Sequence, residues 1–390
     1  MSRPRQKPRR LRARRASREE DASQADATAF EGDPSDRPLP PRPAEQILID
    51  ALGDVPGGNI LCTSWGRGQF AVAAAQTQPS SHVRCCFLDL YALEQAQRQH
   101  SNPPANLCLE CAADFPDGPF DVFALPVSAA GEAELVRDCL QSGHQRLLEG
   151  GTFFASTDNR SDVWLHGELR KMFAKVTRRE EKLGTLFKAI KTEPLKKVKN
   201  FECQLAFRDR ERMIHAVSRP GVFSHRRVDD GARALVRAAT VEAGQHVLEL
   251  GCGSGVVSLA AALRAPDVRV LAIDSNPRAV ECTTRGAQLN GIANLEARAS
   301  TAESSAAGDI PAGAFDLVVA NPPYYSNFRI AEVFAGCAAR ALKPTGTALF
   351  VAKRTDWYTE RLPQWFSQVA LEPLGNYVIV RAQAPRAGAT

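Results

Sequence analysis

The sequence predicts an α/β chain with two doubly wound, Rossmann-like parallel-sheet domains in tandem, and three observations predict it. From about residue 44 onward short β-rich runs alternate with helix-length segments, the pattern of a parallel sheet covered by helices. The alternation then runs a second time, and its later part keeps one offset of 195: Phe120-Asp121 corresponds to Phe315-Asp316, and Gly151-Thr152 to Gly346-Thr347. Each round also carries a turn after its first apolar run, glycine-rich in the second and eroded in the first.

The 390 residues, 44% hydrophobic and 24% charged, bound the class to a folded globular chain of two or three domains, each able to bury a core. The longest apolar run, residues 256–263, contains Ser258 and falls far short of the roughly 20 residues of a membrane span, so no membrane association is expected. Ten cysteines without a secretory signal point to reduced thiols and a cytoplasmic protein. Cys108 and Cys111 have the spacing of half a zinc site, but no second such pair follows, and no metal is expected.

The net charge of +5 is local, because residues 1–18 carry nine Arg or Lys and no acid, which leaves −4 for the rest. Residues 1–43, with Pro34, Pro38, Pro40, Pro41 and Pro43, read as a basic, disordered tail, either a solvated segment or an arm that docks RNA. Residues 44–212 form the first expected domain. There Ser64 and Trp65 occupy the place of the second round's Gly251 and Cys252, and Pro126-Val127-Ser128-Ala129 replaces Asn321-Pro322-Pro323-Tyr324. A β-carbon or an indole obstructs a turn that must approach a ligand, so this copy is expected to be degenerate and to do no chemistry. It is rich in cations between residues 170 and 199, with Lys188, Lys191, Lys196, Lys197 and Lys199 the candidates for RNA contact and Phe173, Phe187 and Phe201 interleaved as available aromatics.

Residues 213–390 form the second domain, where the chemistry is expected. Glu249-Leu250-Gly251-Cys252-Gly253-Ser254-Gly255 ends a buried strand and opens a helix, which places a glycine turn at the carboxyl edge of a parallel sheet. The dinucleotide fingerprint fails when counted from Gly251 and Gly253, which puts Val256 at its last small position, and is only marginal from Gly253 and Gly255, which puts Ser258 there. Glu249 instead suits the cationic methionine portion of S-adenosylmethionine. Asp274, 19 residues beyond Gly255, can accept both ribose hydroxyls; a helix cap before Pro277 is the other use of such a residue.

Asn321-Pro322-Pro323-Tyr324 follows an apolar strand and so reaches the same sheet edge. The lone pair of an amine on an aromatic base is delocalised into the ring. The Asn321 amide oxygen and a nearby backbone carbonyl, that of Pro322, can accept its two N–H bonds and turn the lone pair outward, while the prolines hold these acceptors and Tyr324 stacks on the base.

With these motifs the sequence resembles the class I methyltransferases, and among them the ribosomal RNA guanine-N2 methyltransferases known as small-subunit methyltransferase C and large-subunit methyltransferase G. Residues 220–224, Pro-Gly-Val-Phe-Ser, and Asp229-Asp230-Gly231 look like the segment that precedes the catalytic core in that family. The resemblance covers roughly residues 45–385 and implies two tandem class I methyltransferase domains, the first degenerate. It also implies methyl transfer to N2 of a guanine in ribosomal RNA, with Gly251, Gly253, Gly255 and Asp274 on the cofactor, Phe223 and Asp229 bordering it, and Thr301 near the adenine. Asn321 and Tyr324 would hold the base, in a monomer acting on ribosomal RNA or a ribosomal subunit. The sequence departs from the family at Tyr324-Tyr325, where the small-subunit enzymes carry Phe and His, and at Thr301, where Asn or Asp is usual. Adenine N6, protein glutamine or a small metabolite remain open as acceptors, as does a non-catalytic RNA-binding role.

Overall fold

The computed structural model describes residues 38–265, 267–303, 310–323 and 328–386. The expected tail lies outside them apart from residues 38–43, and so do Tyr324 and Tyr325. Residues 40–390 make one contact unit, within which both sheets lie.

The first sheet is built from β1 (Asn59–Cys62), β2 (His82–Phe87), β3 (Leu107–Cys111), β4 (Phe120–Val127), β5 (Leu147–Thr157), β6 (Val176–Glu181) and β7 (Gly184–Ile190), in the order β3-β2-β1-β4-β5-β7-β6. A separate hairpin follows, β8 (Cys203–Asp209) and β9 (Arg212–Ser218). The second sheet comprises β10 (His246–Leu250), β11 (Arg269–Asp274), β12 (Leu295–Ala299), β13 (Phe315–Ala320), β14 (Leu342–Ala352), β15 (Phe366–Leu374) and β16 (Tyr377–Pro385), in the order β12-β11-β10-β13-β14-β16-β15. The two orders are the same permutation, each with parallel pairing through its fifth strand and an antiparallel hairpin at the edge.

The likeness extends to single bonds. Asn59 N donates to Asp121 Oδ2 and His246 N to Asp316 Oδ2, both at 2.8 Å, and the register slips after Phe120 in β4 and after Phe315 in β13. Chance resemblance between two α/β domains does not reproduce such details, of which Phe120-Asp121 and Phe315-Asp316 keep the offset of 195 read from the sequence, and a duplication does.

Helices α1 (Pro43–Asp50), α2 (Gln69–Thr77), α3 (Leu90–Gln99), α4 (Ala133–Arg146) and α5 (Trp164–Leu169) belong to the first half. In the second are α6 (Asp230–Ala238), α7 (Val256–Ala262), α8 (Pro277–Leu289), α9 (Arg329–Ala341) and α10 (Asp356–Arg361). Pro43 opens α1 where its missing N–H costs nothing. All seven residues of α7 are buried, so this helix is a piece of core. Central strand β10 likewise reads as a nearly continuous apolar run because helices cover both of its faces.

The hairpin β8–β9 spans the point at residues 212 and 213 where the sequence reading divides the chain. Phe207, Ile214 and Ala216 pack into one core with α6, α7 and β10, and the buried Arg264 pairs with Asp209 at 3.1 Å. By packing, the hairpin goes with the second sheet.

In the first half the turn after β1 is plugged. The Trp65 indole Nε1 donates to the carbonyl of Pro126 at 2.7 Å, which joins the residue in place of Cys252 to the residue in place of Asn321. A cavity of about 190 Å³ remains beside it, about half of the corresponding cleft in the second half. Phe173, Phe187 and Phe201 are all buried, which corrects their reading as aromatics available to RNA: burying a phenyl ring is worth more than leaving it on a basic face.

Candidate active site

The carboxyl ends of β10, β11 and β13 open onto a cleft of about 360 Å³, inside the range of about 300–1,000 Å³ usual for small-molecule sites. Gly251, Gly253 and Gly255 all adopt left-handed backbone, with φ of 76°, 55° and 76°. At Gly255 glycine is needed twice over, since a β-carbon there would also stand 2.8 Å from Thr283 Oγ1. Gly251 and Gly253 line the cleft, and a β-carbon on Gly253 would meet no protein atom, which leaves its backbone bare toward a ligand.

Asp274, at the end of β11, accepts from Gly253 N through Oδ2 at 2.8 Å and from Asn276 N through Oδ1 at 2.9 Å. It therefore ties the glycine turn to the next loop while each oxygen keeps a lone pair for a hydroxyl in the cleft. The cap of α8 is Asn276, whose side chain accepts from Arg278 N, so Asp274 is not spent on capping.

Glu249 lines the cleft, but its carboxylate accepts from Ser258 N at 2.8 Å and from the Ser258 hydroxyl. It holds the first turn of α7, a use that the sequence reading did not assign to it. Burial pushes the Glu249 carboxyl up to about 8 and that of Asp274 up to about 6, against the pull of these hydrogen bonds. In both the folded chain holds the proton more tightly than the unfolded chain, so the stability gained is complete at low pH and is lost as pH rises through these values. The ligand-free protein is thus expected to melt at a lower temperature at pH 8 than at pH 6, the range these two groups span. Glu249→Gln should flatten that fall; a melting curve series in which the variant keeps the wild-type slope would remove Glu249 as its cause.

Asn321 emerges from β13 into the same cleft, and its Nδ2 donates to Asp229 Oδ2 at 2.9 Å. Among the described residues its Oδ1 accepts no hydrogen bond. Asp229 also caps α6, accepting from Ala232 N at 3.0 Å. Phe223, exposed, and Thr301, buried, both line the cleft. Pro322 is buried, and Pro323 lines the cleft.

Of the basic candidates, Lys191 Nζ is engaged by the carbonyl of Leu147 at 2.6 Å, and Lys188 Nζ lies over the Phe154 ring and 3.3 Å from the carbonyl of Asp54. Both are structural cations of the first sheet. Lys196, Lys197 and Lys199 are exposed.

The sequence reading missed what the first half adds to this cleft. Asp89 and Tyr91 form part of its wall. Leu90 N donates to the carbonyl of Ser275 at 2.7 Å, the Ser275 hydroxyl to Asp89 Oδ2 at 2.8 Å, and the Thr301 hydroxyl to Glu94 Oε2 at 2.9 Å. Asp89 caps α3 as Asn276 caps α8, and by the register of the paired strands it matches Asn276 and not Asp274, so the repeat gave no signal for it. Arg278 carried none. It is 1% exposed, with Nε donating to the carbonyl of Ala113 at 2.5 Å, Nη1 to that of Pro220 at 2.9 Å, and Nη2 2.8 Å from Asp138 Oδ2. The last contact lies outside hydrogen-bonding geometry and is an ion pair only.

Comparison with known proteins fits this site. Residues 213–381 match the family model described as methyltransferase small domain. The chain is also 30% identical over 193 residues to the uncharacterized protein YbxB of Bacillus subtilis, covering 48% of this chain and 94% of that one. The chain belongs to the methyltransferase small domain family. A ribosomal RNA small subunit methyltransferase C from Chromohalobacter salexigens is 36% identical over 143 residues, 35% of this chain and 40% of that enzyme. The chain thus spans about 40% of the length of that curated relative. The resemblance to small-subunit methyltransferase C and large-subunit methyltransferase G drawn from the motifs is borne out by such relatives. The T. thermophilus 16S rRNA N2 guanine methyltransferase solved with AdoMet and guanosine has the same two-sheet fold, with a TM-score of 0.71, 19% identity, and coverage of 86% of this chain and 91% of that one. Among the described residues no helix is long and apolar enough to cross a membrane, and no cluster of three metal-ligating side chains occurs.

Proposed function

We propose that this chain is an S-adenosylmethionine-dependent N-methyltransferase that modifies the exocyclic N2 amine of a guanine in ribosomal RNA, acting as a cytoplasmic monomer. One observation carries the reading. The carboxamide of Asn321 stands in the same cleft as the bare glycine turn, its Nδ2 committed to Asp229 and its Oδ1 left to accept.

The residues present fit the cofactor. Gly251 and Gly253 leave backbone without side chains, Asp274 offers a lone pair on each oxygen to ribose hydroxyls, and Ile273, Val256 and Phe334 give apolar walls. When bound, S-adenosylmethionine supplies an electrophilic methyl group. Asn321 Oδ1 accepts an N–H of the base amine, which turns the nitrogen lone pair out of the ring plane and into the cleft. The first half adds Asp89 and Tyr91 to the wall on the side of the Asp274 loop.

The test is direct. Purified chain, S-adenosylmethionine carrying a labelled methyl group and ribosomal RNA lacking its guanine-N2 methylations should yield labelled N2-methylguanosine on digestion; label only in N6-methyladenosine or in protein would overturn the acceptor. Contact with RNA falls to the exposed lysines. The triple variant Lys196→Glu, Lys197→Glu, Lys199→Glu should weaken RNA binding and reduce the slope of log affinity against log salt by about 2, each lost phosphate contact removing about 0.7. A slope equal to wild type would take this segment out of the RNA path.

A further inference from the structure

We propose that Asp229 is a positioning residue, which locks the orientation of the Asn321 carboxamide, and that Gly231 is the residue that makes room for the pair. This rests on the reading above that Asn321 grips the acceptor amine, and it moves Asp229 from the border of the cofactor to the substrate side.

The two ends of a carboxamide have nearly the same shape and opposite hydrogen-bonding character. An Asn in an open cleft can rotate half a turn at little cost and present its NH2 to the amine, donor against donor. Such a site is unproductive in proportion to the time spent flipped. A carboxylate beside it removes the ambiguity, because a carboxylate only accepts and the Asn321 atom facing it must be Nδ2. Asp229 Oδ2 sits 2.9 Å from that atom. Oδ1 is thereby turned away from Asp229.

Asp229 is itself held still. The same Oδ2 accepts from Ala232 N at 3.0 Å, so the side chain is fixed by the first turn of α6, and its backbone is extended, with φ −64° and ψ 138°. Capping alone does not call for aspartate, since serine, threonine or asparagine caps a helix as well. What aspartate adds is reach to Asn321.

Gly231 gives the second, independent observation. Its φ is not in the left-handed region, and it stands within α6, where glycine disfavours helix. Nothing in its backbone calls for glycine. A β-carbon there would lie 2.8 Å from Asp229 Oδ2 and 3.1 and 3.2 Å from Asn321 Oδ1 and Nδ2. The missing side chain clears the space in which these two residues meet.

Three variants separate capping from positioning. Asp229→Ser keeps an oxygen for Ala232 N and is too short to reach Asn321. Asp229→Asn places one oxygen where both bonds converge. Gly231→Ala favours the helix but pushes the pair apart. The expected pattern is a kcat lowered by about 10²-fold in Asp229→Ser and Gly231→Ala, the scale of a misplaced reacting group. Thermal midpoint and the dissociation constant for S-adenosylmethionine should stay close to wild type, and Asp229→Asn should recover most of the turnover. Full turnover in Asp229→Ser, or cofactor affinity falling in step with kcat, would overturn the proposal.

A readout independent of activity keeps it distinct from the acceptor. With nitrogen-15 asparagine label, the Nδ2 proton of Asn321 that faces Asp229 should exchange slowly in the wild type and in Asp229→Asn, and quickly in Asp229→Ser. If that contrast is seen while no guanine is methylated, the proposed acceptor fails and the lock stands. If the wild type and Asp229→Ser exchange alike, the lock fails whatever the enzyme methylates.

Discussion

Replacing Asn321 by alanine is expected to lower kcat by about 10²–10³-fold, the effect of deleting one preorganised hydrogen-bonding group from an active site. Affinity for S-adenosylmethionine should change little, because the cofactor side of the cleft is built from the glycine turn and Asp274 and not from β13. The loss falls on kcat because the amide acts on the acceptor's lone pair, whose cost appears only as the new bond forms. Alanine also leaves Asp229 bonded to Ala232 N, so α6 keeps its cap and the fold should survive. Single-turnover rates with saturating RNA, beside calorimetric titration of the cofactor, decide the matter. A variant that turns over normally would remove Asn321 from the chemistry; one that also loses the cofactor would move it to the other wall.

Arg278→Ala is expected to destabilise the protein by about 3–5 kcal/mol, the cost of removing one member of a buried ion pair. The guanidinium is 1% exposed and serves two backbone carbonyls, of Ala113 and Pro220, and two carboxylates, of Asp138 at 2.8 Å and Asp114 at 3.5 Å. Truncation leaves both carbonyls and the partly buried Asp138 without this partner, while Asp114 keeps Arg219. Lysine should rescue little, because one ammonium cannot reach three directions that a planar fork reaches together. The damage should also spread to the cofactor, since α8 begins two residues after the Asp274 loop and Asn276 Nδ2 donates to the carbonyl of Gly221 at 2.8 Å. Urea unfolding followed by tryptophan fluorescence measures the first effect and cofactor titration the second. An unfolding midpoint equal to wild type would mean that the interface tolerates the loss and that Arg278 is no clamp.

Arg278 also shows where sequence reasoning stops. A lone arginine on an amphipathic helix reads as a solvated residue, and only the docking of the first half over α8 makes it the largest fully buried side chain. Lys191 went astray for the same reason: a lysine in a basic run looks free until a neighbouring strand places carbonyls around it. Phe173, Phe187 and Phe201 looked available because sequence does not say which side of a strand or loop the rest of the chain covers, and all three prove buried. The glycine turn, Asp274 and Asn321 were legible because each combines a rare residue type with a fixed place at a strand end, and strand ends in a parallel sheet share one edge.

By itself the sequence determined the class, the repeat and the side of the second sheet on which the chemistry must lie, since these follow from local periodicity and from residues whose backbone or side-chain chemistry admits few uses. The tertiary structure alone decided that the worn first copy completes the cleft through Asp89 and Tyr91, that Glu249 holds a helix, and that Asp229 meets Asn321. Those contacts join residues far apart in the chain. Their strength depends on burial and on the angle of approach, which no linear spacing encodes.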